Sequence, residues 1–117
     1  MKVTQKHFDA FKESFCKWQK ILNLEDWQVY FILKDADDCF ARVKYDTVTR
    51  VATAILNNEV HGDDLKFFDP AKHGKHEACH LFLATLTGYA DDRFVNKEQI
   101  NMENERLTVL LTKIVKE

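Results

Sequence analysis

The sequence predicts an α+β fold in which helices cover one face of a small three-stranded antiparallel sheet. Three observations lead there. Apolar residues recur at three- and four-residue steps near the start of the chain, and helix-forming stretches return after residue 70. Three short segments between them alternate with a period of two. Polar turn residues separate those segments, with no stretch long enough for a crossover helix. The predicted order is N-terminal helix, three strands, a central helix and a C-terminal helix, forming one domain over residues 1–117.

Thr4 is placed to cap the first helix, with Val3 and Phe8 at the spacing of a hydrophobic staple. Phe8, Phe11, Phe15, Trp18 and Leu22 form its apolar stripe, and Lys12, Glu13, Lys17 and Lys20 lie elsewhere on the cylinder. His7, in the first turn, reads as a surface residue. Asn23-Leu24-Glu25-Asp26 ends the helix. Trp27, Val29, Phe31 and Leu33 alternate with Gln28, Tyr30, Ile32 and Lys34, as in a half-buried first strand. Asp35 to Asp38 is a turn, without the glycine and closing glutamate of a calcium loop. The second strand runs from Cys39 to Asp46 and the third from Arg50 to Leu56, with Ala52, Ala54 and Leu56 on one face. Short turns between all three predict an antiparallel meander. Residues 57–69 form a connection that carries His61. The central helix spans Pro70 to Thr87, with Asp69 as N-cap, Pro70 at N1 and Gly88 as C-terminal cap. Tyr89 to Val95 reads as a loop. Asn96 and Gln99 have capping-box spacing, and the last helix continues to about Lys116.

Composition narrows the function classes. The chain is 45% hydrophobic and 31% charged, with three glycines and one proline, which is the make-up of a folded globule. A net charge of −2 gives no electrostatic reason to expect nucleic acid or an anionic membrane as partner. No run of eighteen apolar residues exists, and Met1 to His7 lacks the apolar core of a signal peptide. Cys16, Cys39 and Cys79 are odd in number and lie within apolar patterns, so they read as reduced core residues of a cytoplasmic protein.

The central helix carries His76-Glu77-Ala78-Cys79-His80. Residues four apart share a helix face, so His76 and His80 present two imidazoles side by side, the arrangement of two ligands of one tetrahedral zinc. Glu77 is rotated from that face. From there a carboxylate reaches a metal-bound water without ligating the metal, as a general base must. A catalytic zinc needs a third protein ligand. No histidine follows His80, and Leu83 and Leu86 stand where a glycine and a third histidine would be needed downstream. His73 is one upstream option; Asp91, Asp92, Glu98, Glu103 and Glu105 are the acidic ones. Helical phase favours Glu103, which lies within about 40° of Leu107, Leu110 and Ile114, whereas Glu105 points nearly the opposite way. A carboxylate in an apolar stripe needs compensation, and a zinc ion on the neighbouring helix supplies it.

With His76, Glu77 and His80 followed after a loop by Glu103 on a second helix, the sequence resembles the gluzincins, zinc metallopeptidases whose third ligand is a glutamate. The element order is similar to that of minimal bacterial and phage-encoded metallopeptidase-like domains, SprT-like ones included. The resemblance covers most of the chain, although only the His-Glu-x-x-His motif is specific. It implies a zincin-like fold, zinc held by His76, His80 and Glu103, Glu77 as base, a peptide or protein substrate, and an edge strand above the site, here the third strand around Ala52 to Ile55. Leu107 stands where thermolysin-type members have a histidine-orienting aspartate, which leaves Asp91 or Asp92 for that role. SprT-like proteases use a histidine as third ligand, which this chain lacks after His80. The chain is also too short for the second subdomain that walls the cleft in larger gluzincins. Tyr45, Tyr89 and His73 are the candidates for an oxyanion donor. The two functional expectations are a zinc-dependent peptidase and a zinc-stabilised module that binds a peptide or protein without cutting it.

Overall fold

The structure is a computed structural model and describes residues 1–92 and 94–114. The order is α1 (Gln5–Ile21), β1 (Gln28–Lys34), β2 (Ala41–Asp46), β3 (Val51–Asn57), a short 3-10 helix (Gly62–Phe67), α2 (Pro70–Phe82), α3 (Ala84–Asp91) and α4 (Lys97–Ile114). The class is α+β, as expected.

The start of α1 closes as a reciprocal cap. Thr4 Oγ1 accepts from the His7 N–H at 3.2 Å, and His7 Nδ1 accepts from the Thr4 N–H at 3.1 Å. His7 is therefore a structural residue rather than a bystander, and its ring also stands edge-on to Phe68. Phe11 and Phe15 are fully buried, and Phe31 of β1 meets both rings edge-on, with centroids 6.4 and 5.3 Å away. Asn23 takes a left-handed φ of 60° and turns the chain out of the helix.

The sheet departs from the predicted meander. Its order is β1-β3-β2, with β1 parallel to β3 and β2 antiparallel to β3. The sheet is mixed, and β3 is its centre. The physical reason lies in β3 itself. Val-Ala-Thr-Ala-Ile-Leu is a nearly continuous apolar run, suited to burial on both faces, and Ala52, Ala54, Ile55 and Leu56 are all buried. β1 alternates in burial, and β2 grades from half-buried at Ala41 to exposed at Asp46, as outer strands with a wet face do. Residues 35–40 then need only step across two strand spacings, roughly 10 Å, well within the reach of six residues. Asn57 pins that crossover: its Nδ2 donates to the carbonyls of Asp37 and Cys39 at 3.2 and 2.8 Å, and its Oδ1 accepts from the Glu59 N–H.

Val29, Phe31, Leu33, Ala52, Ala54, Leu56, Ala41 and Val43 join the core that α1 and α2 cover. The helices α1 and α2 cross closely at the buried Gly74, where an added Cβ would stand 2.5 Å from the Phe11 carbonyl oxygen and 3.0 Å from the Phe15 nitrogen.

The central helix is shorter than predicted. α2 ends at Phe82, the Leu83 N–H turns back to the Cys79 and His80 carbonyls, and α3 begins at Ala84. Gly88 sits inside α3 and caps nothing, and no glycine has a positive φ. Residues 89–91, expected in a loop, complete α3. The three cysteines are free, as expected, but exposed rather than core residues, because each flanks a buried stripe without lying on it. Asn96 and Gln99 close the α4 cap reciprocally at 3.0 and 2.9 Å. The predicted helix end near Lys116 lies outside the described residues. Among the described residues, no helix is long and apolar enough to cross a membrane.

Candidate metal centre

The site is built on α2, and its N-terminus fixes the helix. Asp69 Oδ1 accepts from the Lys72 N–H at 3.3 Å, and Pro70 starts the helix without a donor to satisfy. His73 Nε2 accepts from the Asp69 N–H at 3.1 Å, so one histidine again answers the cap. A ring nitrogen that accepts carries no proton; neutral His73 therefore holds its proton on Nδ1. Its ring stacks on Phe40, with centroids 4.6 Å apart and planes 17° from parallel. Burial holds this imidazole below the usual histidine pKa; Asp69 works the other way, and His76 and Lys72 add to the lowering.

One turn on, His76 and His80 bring their Nε2 atoms to 3.1 Å from each other. A hydrogen bond between two neutral rings gives such a contact, and so does a shared ion. Two nitrogens bound at 2.0–2.1 Å to one tetrahedral zinc stand roughly 3.3 Å apart. Glu77 completes the group: the ligand atoms of His76, Glu77 and His80 lie within 4.8 Å of one another. Both histidines are exposed, whereas Glu77 is only 6% exposed. Burial raises the Glu77 pKa above the usual carboxylate value. The His80 and His76 rings, the backbone of Val43 and the Arg42 guanidinium oppose that shift. Two accessible imidazoles beside one buried carboxylate suit a divalent cation of borderline softness, and the donor set is open on the solvent side.

The group faces β2, not β3. Phe40 accepts from the Asn57 N–H directly opposite it in the antiparallel register, so the even residues of β2 bond to β3. By alternation Ala41, Val43 and Tyr45 turn their backbone groups to the free edge. The resemblance had pointed to the third strand around Ala52 to Ile55, but that strand is central and paired on both sides, so β2 is the edge beside the site. A cleft of about 640 Å³ runs between this edge and α2, lined by Cys39 to Val43, Phe67, Lys72, His73, His76, Glu77 and His80.

Glu103 lies elsewhere. It is buried on the same face of α4 as Leu107, as its phase implies, and Glu105 is exposed. Its carboxylate, however, takes the Arg106 guanidinium, with Nε 3.1 and 3.0 Å from the two oxygens. It lines a different groove, with Arg50, Thr85, Tyr89 and Asp92. The structure thus gathers His76, Glu77 and His80 and leaves Glu103 outside that group. Of the oxyanion candidates, His73 lines the cleft, Tyr45 packs edge-on to Trp27, and Tyr89 lies in the Glu103 groove. Asp91 and Asp92 are exposed at the end of α3. Sequence reasoning missed Arg42 and Lys72 as cleft residues. The outward phase of Arg42 on the second strand was legible, but the placement of that strand at the edge was not. No protein-family model matches the chain, and comparisons with curated proteins and with solved structures find no match.

Proposed function

We propose that this cleft is the active site of a small zinc-dependent peptidase of the zincin kind, with a minimal gluzincin-like layout. The observation that carries the reading is the approach of the His76 and His80 Nε2 atoms to 3.1 Å beside a buried Glu77. In this reading His76 and His80 would hold the ion, and Glu103 would join them as third ligand only by leaving Arg106 and the separate groove it lines. The bound ion supplies Lewis acidity, which acidifies a water and polarises a carbonyl. Glu77 would take the proton of the attacking water and hand it to the leaving amine, since its carboxylate lies beside both histidines without being needed to hold the ion. The outer edge of β2 would align an extended peptide on either side of Val43, whose backbone N–H already serves Glu77, and the Nδ1–H of neutral His73 is a donor for the developing oxyanion. Three free, exposed thiols suit a reducing compartment, the cytoplasm.

The exposure of both site histidines favours a second reading, a zinc-stabilised module that binds a peptide or protein without cutting it. One set of measurements separates the two. Native mass spectrometry is expected to find zinc on the wild type and on Glu77→Gln, and none on His76→Ala or His80→Ala. Wild-type protein is expected to cut a peptide library that Glu77→Gln leaves intact. Zinc retained by both histidine variants would remove the site, and zinc binding without cleavage would favour the binding module.

A further inference from the structure

We infer that the cleft selects acidic peptides, in which a carboxylate side chain lies next to a large apolar or aromatic one. The inference rests on the reading of the cleft as a peptide site and adds the class of peptide. The chain as a whole has 19 acidic and 17 basic residues. The cleft does not share that balance: Arg42 and Lys72 line it, and its one carboxylate, Glu77, is buried beside the histidine pair.

Neither cation is used up by the fold. Arg42 reaches Asp37 only at 3.9 Å and the Cys39 sulfur at 3.8 Å, and Asp37 is itself well exposed. The other described arginines are clamped. Arg50 holds Asp26 at 2.7 and 3.1 Å, donates to Thr85 and lies over the Trp27 ring. Arg106 grips both oxygens of Glu103. Arg42 alone of the three retains a guanidinium fork for an incoming carboxylate.

Lys72 is in the first turn of α2, where the one acidic neighbour is the N-cap Asp69, whose carboxylate is turned to the Lys72 backbone N–H. A cation there opposes the helix dipole. Among the described residues no ion pair includes Lys72, so the fold gains no partner from it. An anion held between strand edge and helix start would relieve that repulsion. The same cleft is lined by Phe40 with stacked His73 and by the 61%-exposed Phe67, an apolar surface for the neighbouring side chain.

The test uses fluorescein-labelled octapeptides that carry one Phe, with Glu, Gln or Lys at each neighbouring position in turn. Anisotropy is read on zinc-loaded Glu77→Gln protein, so that binding is scored without turnover, and cleavage of the same peptides by wild type is scored separately. The best Glu peptide is expected to bind about tenfold tighter than its Lys counterpart, the effect of one well-made ion pair. With Arg42→Gln and Lys72→Gln added, the preference is expected to shrink to within about twofold, because the partners of the carboxylate are gone. Adding Lys17→Gln and Lys20→Gln instead, which removes the same charge from α1, is expected to leave it unchanged. Equal binding of Glu, Gln and Lys peptides overturns the inference. So does a preference that survives loss of Arg42 and Lys72, tighter binding of an oligothymidylate than of any peptide, or no peptide binding at all. Selective binding without cleavage sinks the peptidase reading and leaves this inference standing; cleavage without charge preference does the reverse.

Discussion

At the scale of single residues, Gly74 and Glu103 show how chemistry and packing compete for a position. Gly74 lies two residues before His76, where α1 and α2 approach most closely, and a Cβ would meet the α1 backbone rather than a flexible side chain. Alanine would gain about 1 kcal/mol of helix propensity over glycine. Forcing two backbones apart in a packed core costs about 1–3 kcal/mol or more and wins. Gly74→Ala is therefore expected to lower the urea midpoint and to weaken zinc binding, since it moves the histidine helix; a midpoint at or above wild type would show that the helices separate freely. Glu103 is caught between two cations, Arg106 in the structure and the ion in the proposed function. Glu103→Gln is expected to weaken zinc affinity and to lower stability, because it also leaves Arg106 without its partner. Glu105→Gln, on the exposed side of α4, should change either by little. If Glu103→Gln loses stability but keeps wild-type zinc affinity, its carboxylate serves Arg106 alone.

At the scale of elements, what was legible in the sequence was local, and what was missed depended on contacts distant in sequence. The aromatic stripe of α1, the alternation of β1 and the caps at Thr4, Asp69 and Asn96 are set by neighbours within four residues, and they were read directly. So was the histidine pair, because its spacing is a helical one. Strand order was not legible, because a turn such as residues 35–40 serves a hairpin and a two-strand step equally well. The unused clue was the two-sided apolarity of Val51 to Leu56, which marks a central strand. The break at Leu83 was hidden because the residues on both sides are apolar, so the pattern continues across the end of α2 and the start of α3. The histidine caps were hidden too, since the pattern expects Glu or Gln. That feature gives α2 a pH dependence. His73 must be neutral to accept from Asp69, and burial holds its folded pKa below the usual histidine value. Above the ordinary value near 6.5 both folded and unfolded chains carry it neutral, and its contribution is complete. As pH falls below that, the unfolded chain binds the proton first, and stability is lost until the folded pKa is passed. In metal-free protein the urea midpoint is thus expected to drop between pH 7.5 and pH 5 by more in wild type than in His73→Gln. An equal drop in both would move the pH response to other groups.

At the scale of the molecule, the question is whether the metal makes the fold or only uses it. The main core is assembled from α1, the inner sheet face and the apolar side of α2; Phe11, Phe15, Leu56 and Leu81 are fully buried, and none of the metal-group side chains belongs to it. In a classical zinc finger the ion replaces a core that is too small, and the chain is unfolded without it. Here the helix that carries His76 and His80 is already held by its cap, by the crossing at Gly74 and by Ser14, whose hydroxyl donates to the Ala71 carbonyl across the α1–α2 contact. Metal binding should therefore act on stability by mass action alone. At free zinc about 100-fold above Kd the folded state gains about 2.7 kcal/mol. For a chain of this size that corresponds to a rise in Tm of about 10 °C. Chelation at 25 °C is expected to leave the far-ultraviolet circular dichroism spectrum intact while Tm falls by about that amount, and His76→Ala should melt at the chelated temperature with or without zinc. Collapse of the spectrum on chelation would mean that the ion is part of the fold. An unchanged Tm at saturating zinc would mean that the two imidazoles meet only each other.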